Sequence, residues 1–90
     1  MLKVKDKLIL REIAGNWVVI PAGTRVVEYN SIISLNTSGA LLWRCLEQGT
    51  EAGALVQELV SKYGIDRTSA QADVNDFINM ALEKGFIQIC

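Results

Sequence analysis

Residues 8–20, Leu-Ile-Leu-Arg-Glu-Ile-Ala-Gly-Asn-Trp-Val-Val-Ile, decide the fold of this chain. Residues 8–13 and 17–20 are rich in the β-branched and aliphatic side chains that favour strands. Between them, residues 14–16 form a turn cluster in which Gly15 supplies a positive φ. The sequence therefore predicts a β-hairpin with a three-residue loop. Pro21 ends its ladder because proline has no N–H to donate.

A third strand is predicted some ten residues after the hairpin. Residues 26–29 form a short extended piece, and Asn30 and Ser31 break it. The chain resumes as a strand over Ile32, Ile33, Ser34 and Leu35. The N-terminal third is therefore expected to form one antiparallel sheet.

The remainder of the chain predicts three helices. Side chains that can cap a helix precede three segments with helical apolar periodicity, and glycine follows each segment. The caps are Asn36, Thr50 and Asp66, and the glycines are Gly49, Gly64 and Gly85. Residues 86–89 form a short closing strand or tail. This order predicts an α+β fold, winged-helix-like, in which a three-stranded antiparallel sheet is followed by three helices.

Composition limits the classes of function. Ninety residues with a net charge of −1 predict one domain over residues 1–90 and give no reason to expect a polyanionic partner. The N-terminal residues alternate charged and apolar side chains, which predicts neither a secretory signal nor a membrane anchor. A cytoplasmic location is the expectation, with Cys45 and Cys90 reduced.

No catalytic or metal-binding constellation is recognisable. The chain has no histidine, so Ser34, Thr37 and Ser38 lack the usual activating base. Asp73 and Asp76 lie three residues apart, but no further oxygen ligands converge on them in sequence. The sequence therefore predicts no enzyme, no metal site and no cofactor.

A winged-helix order raises the alternative of a DNA-binding regulator. The third helix offers only Arg67 and Lys84 as basic residues, against Asp66, Asp73, Asp76 and Glu83. A net-negative helix is repelled by the phosphates of a duplex, so a nucleic-acid partner is disfavoured.

Peptide recognition is the interpretation that the predicted sheet favours. If residues 32–35 lie at a sheet edge, their backbone can pair with an extended peptide while the third helix forms one wall of a groove. Two alternatives stay open. The edge could be covered by a loop, or the chain could be a subunit that docks on a larger enzyme.

The residues also resemble a known family, the PqqD family. Its most specific likenesses are residues 35–43 (LNTSGALLW) and 73–77 (DVNDF) at their mutual spacing. Residues 63–66 (YGID) and 82–87 (LEKGFI) add to them, and the resemblance runs from about Lys7 to Ile89. The connection between the second and third predicted strands, residues 22–31, departs from the family pattern because it is longer than the usual turn.

The resemblance implies a RiPP recognition element. Such a domain binds the leader of a ribosomally made precursor peptide and presents it to a modifying enzyme, often a radical SAM protein, without catalysing a step itself. The leader would add as a strand beside Ile32, Ile33, Ser34 and Leu35. The helical wall of the groove would fall among Arg67, Ala70, Gln71, Asp73, Val74 and Phe77.

Overall fold

A computed structural model describes residues 1–23 and 33–90. The predicted fold class is confirmed, since a three-stranded antiparallel sheet is followed by three helices. In chain order the strands and helices are β1 Leu2–Val4, β2 Leu8–Ile13, β3 Asn16–Pro21, β4 Ile33–Leu35, α1 Thr37–Gln48, α2 Ala52–Tyr63, α3 Arg67–Glu83 and β5 Ile87–Ile89. The extended piece predicted at residues 26–29 and the strand residue Ile32 lie outside the described residues.

The hairpin β2–β3 is present, but its loop is shorter than predicted. Ile13 pairs with Asn16, so only Ala14 and Gly15 remain in the turn. Both have positive φ, 51° and 80°, which is the pattern of a type I′ turn. This turn matches the right-handed twist of the strands, and for that reason Asn16 joins the ladder instead of the loop.

The third strand of the sheet, β4, lies at an edge. Trp17, Val18 and Val19 of β3 pair with Leu35, Ser34 and Ile33 of β4, and the strand order is β2-β3-β4. Among the described residues no strand pairs with the other side of β4.

A second, two-stranded sheet was not predicted. β1 pairs antiparallel with β5, from Leu2 opposite Ile89 to Val4 opposite Ile87. Leu2 also exchanges backbone hydrogen bonds of 2.7 and 2.8 Å with Thr50. The closing strand predicted at residues 86–89 is therefore confirmed, and its partner is the N-terminal segment.

Two of the three predicted helix caps are confirmed. The side chain of Asn36 accepts a 2.7 Å hydrogen bond from the N–H of Gly39, and Asp66 accepts one of 3.0 Å from Ser69. The cap predicted at Thr50 is wrong, because Thr50 pairs with Leu2 and α2 begins one residue later, after Glu51.

One hydrophobic core joins the helices to both sheets. Trp43 of α1 is fully buried and packs edge-on against Phe86, with ring centroids 6.0 Å apart. Leu59 of α2, Val74 of α3 and Val19 of β3 belong to the same cluster. The core thereby fixes α3 relative to the sheet that ends in β4.

Candidate functional site

The end of β4 meets α1 and α3 at Gly39. A Cβ atom at Gly39 would lie 3.5 Å from Cβ of Leu35 and 3.4 Å from Cε2 of Phe77. It would also lie 3.0 Å from the capping oxygen of Asn36, closer than most Cβ contacts. The absence of a side chain at Gly39 lets Phe77 approach the first turn of α1, and so places α3 beside the end of the edge strand.

A groove opens from this meeting point along α3. It has two compartments of about 480 and 330 Å³, which share Asn36, Ser38, Leu59 and Asp73 in their linings. We call it the α1–α3 groove. Its other lining residues are Thr37, Tyr63 and Ile65 in the first compartment, and Leu42, Asp76, Phe77 and Met80 in the second.

Of the sequence-predicted site residues, Leu35 of β4 and Phe77 of α3 come together at Gly39. Ile33 and Leu35 are half-buried on the strand, and Ser34 is exposed between them. Asp73 and Phe77 line the groove. The fourth predicted strand residue of the site, Ile32, lies outside the described residues.

The other predicted residues of α3 lie elsewhere on the helix. Ala70 and Val74 are fully buried in the core, behind the groove. Arg67 and Gln71 are exposed and line neither compartment of the groove. The guanidinium of Arg67 donates a 2.6 Å hydrogen bond to the side-chain oxygen of Gln57 on α2. Peptide contact by these four residues stays a prediction.

Sequence reasoning missed several lining residues. Asp76 and Met80 follow Asp73 at intervals of three and seven, so a helical projection places them on one flank with Phe77. The role of the start of α1 in lining the groove was harder to predict, because Asn36, Thr37 and Ser38 are residue types typical of helix caps and turns.

Two titratable groups, Asp66 and Cys45, have shifted pKa values with structural causes. Hydrogen bonds from the side chain and backbone of Ser69 lower the pKa of Asp66, as expected for an N-cap carboxylate. Burial, and secondly the charge of Glu58, raise the pKa of the Cys45 thiol. No group of three or more potential metal ligands occurs among the described residues. Within the same residues, no helix is long and apolar enough to cross a membrane.

Comparison with known families assigns the fold. The family profile described as "Coenzyme PQQ synthesis protein D (PqqD)" matches residues 16–87. The chain belongs to the PqqD family. The resemblance found in the sequence is therefore confirmed. No curated protein matches this PqqD-family chain.

Two solved structures share the fold over nearly the whole chain. The first is described as TbiB1 in complex with the TbiA(beta) leader peptide. It is 22% identical, with a TM-score of 0.76 and coverage of 96% of this chain and 94% of that one. The second is described as lasso peptide synthetase B1 complexed with the leader peptide. It is 19% identical, with a TM-score of 0.76 and coverage of 98% of both chains.

Proposed function

We propose that this chain binds the leader of a ribosomally made precursor peptide by strand addition at β4 and presents it to a modifying enzyme. The observation that carries the proposal is the edge of β4 near the α1–α3 groove, with which no strand pairs among residues 1–23 and 33–90. Support comes from the two solved structures of the same fold, since both were determined with a leader peptide bound.

The edge of β4 has the properties that strand addition requires. A sheet edge presents unpaired N–H and C=O groups, and most proteins protect such an edge with charged residues or proline. Residues 33–35 are Ile-Ser-Leu, with neither. An added strand would supply the missing backbone partners and would place little demand on the sequence of the leader.

Side-chain recognition would then fall to the α1–α3 groove. Alternate residues of an extended peptide point to the same side, so a leader paired with β4 can direct some of its side chains towards α3. Phe77 and Met80 are half-buried there and offer apolar contact surface. Ala70 and Val74 would support this wall from within the core, and Arg67 and Gln71 would lie beyond it.

The partner enzyme would catalyse the modification of the precursor peptide. This chain would hold the leader so that the rest of the precursor reaches another active site, and would perform no step itself. The class of that enzyme, including the radical SAM protein implied by the family resemblance, stays a prediction.

An amide NMR titration with leader peptides encoded beside the gene tests the proposal. We expect saturable shifts at residues 33–35, at residues 36–38 and along the Asp73–Met80 flank of α3. The hairpin turn at Ala14 and Gly15 serves as an internal reference that should not move. Saturable shifts confined to surfaces away from β4 would contradict strand addition at this edge.

A further inference from the structure

The charged residues known to line the α1–α3 groove are both acidic. Asp73 reaches both compartments and Asp76 reaches the second. The remaining lining residues are apolar or neutral, and no lysine or arginine lines either compartment in the part of the chain that the structure describes. The groove therefore combines apolar contact surface with two carboxylates.

Neither carboxylate has a partner in the part of the chain that the structure describes. Asp66 binds Ser69 and Glu51 lies 3.2 Å from the N-terminal ammonium, but Asp73 and Asp76 have no hydrogen bond or ion pair with any described residue. The basic side chains of the neighbourhood face other groups. Arg67 binds Gln57, and Lys62 lines a separate cleft with Trp17 and Arg44. Both carboxylates are thus available to a ligand in the groove.

We propose that the leader recognised by this chain places a lysine or arginine beside an apolar residue in the α1–α3 groove. The inference rests on the proposed function and specifies the leader that it selects. The apolar residue would contact Phe77 and Met80, and the basic side chain would lie against Asp73 and Asp76. Leaders with an acidic residue at that position are rejected, because like charges would be brought together at short range.

The expected size of the effect follows from the exposure of the two carboxylates. Both side chains are exposed, so solvent and salt weaken each ion pair. One such pair changes an affinity by up to about fivefold. Exchanging the basic residue of the leader for an acidic one should cost more, because repulsion replaces attraction.

Selection from a displayed library of random peptides on the full chain tests the inference. We expect the selected peptides that shift the amides of residues 33–35 to carry lysine or arginine at a fixed distance from an apolar residue. Synthetic copies with citrulline in place of arginine, or norleucine in place of lysine, should bind about two- to tenfold more weakly, and high salt should reduce the difference.

The double variant Asp73→Asn/Asp76→Asn identifies the groups responsible. It should bind the basic and the neutral peptide equally well. The double variant Glu12→Gln/Glu83→Gln changes the net charge by the same amount with two exposed carboxylates that do not line the groove, and it should keep the preference. Circular dichroism checks that both variants are folded.

The outcomes separate this inference from the proposed function. Peptides that bind at β4 without a charge preference, or that keep the preference in Asp73→Asn/Asp76→Asn, overturn the inference and leave strand addition intact. If no selected peptide shifts residues 33–35, the proposed function fails and the inference fails with it.

Discussion

At the scale of single residues, Ala14 is one of two non-glycine residues with positive φ in the described part of the chain. Its φ of 51° lies in the left-handed region, which costs a residue with a Cβ atom about 1–2 kcal/mol. Asparagine tolerates this conformation best among residues with side chains and is preferred at this position of a type I′ turn. We therefore predict that Ala14→Asn raises the free energy of unfolding by about 0.5–1 kcal/mol in urea denaturation.

The substitution Ala14→Val is the matched control for that prediction. A β-branched side chain is strained at positive φ, so this variant should be less stable than the wild type. If valine and asparagine had equal effects, the two-residue turn would not be the conformation in solution.

The two cysteines should differ in reactivity. Cys90 is exposed, whereas Cys45 is partly buried, and burial raises the pKa of its thiol. The thiolate is the nucleophile, and a higher pKa leaves less of Cys45 as thiolate at neutral pH. Cys45 should therefore react more slowly. We predict that iodoacetamide modifies Cys90 first in the folded protein and that both cysteines react at similar rates in denaturant, as measured by mass spectrometry. Equal rates without denaturant would contradict the burial of Cys45.

At the scale of strands and helices, β4 offers a test of edge pairing. The backbone groups of consecutive residues in an antiparallel ladder point to opposite edges, so Ile33 and Ser34 donate in opposite directions. Proline removes one donor. We predict that one of the variants Ile33→Pro and Ser34→Pro chiefly loses stability, by weakening the β3–β4 ladder, and that the other chiefly loses leader affinity.

Thermal unfolding and leader titration of both proline variants decide this prediction. Ile33→Pro should in any case weaken peptide pairing, directly or through the loss of β4. Strand addition at β4 would be wrong if one variant lost stability and the other bound a leader as tightly as the wild type.

Most secondary-structure elements were predictable because their signals are local. Asn36 and Asp66 cap helices through their own side chains, and Gly64 ends α2 with a φ of 66°. The wrongly predicted cap at Thr50 depends on pairing with a distant residue. Thr50 has the chemistry of a cap, but its backbone pairs with Leu2, and that contact is invisible in a local pattern.

At the scale of the whole molecule, the apolar spacing of α3 marks its core side but not the flank that lines the groove. Ala70 and Val74 identify the core side through their periodicity. The flank is decided by the neighbours of the helix. The hydrogen bond between Arg67 and Gln57 places α2 beside the start of α3, and Gly39 admits Phe77 against the first turn of α1. Which flank lines the groove therefore depends on how the three helices pack, and the sequence of α3 alone does not predict it.

The two ends of the chain also contribute to the stability of the whole molecule. Val4 of β1 is 8% exposed and belongs to the hydrophobic core, while its strand pairs with β5. Removing two buried methyl groups costs both transfer free energy and a cavity. We predict that Val4→Ala lowers the free energy of unfolding by about 1–3 kcal/mol in urea denaturation.

Lys3→Ala is the matched control, because Lys3 is the neighbouring residue of β1 and its side chain is exposed. Surface substitutions of this kind change stability by less than about 0.5 kcal/mol. The slope of the urea transition should be the same for both variants, since the same surface is exposed on unfolding. Equal stabilities of Val4→Ala and Lys3→Ala would mean that the β1–β5 sheet is not part of the cooperative unit, and that the core closes without the N-terminal strand.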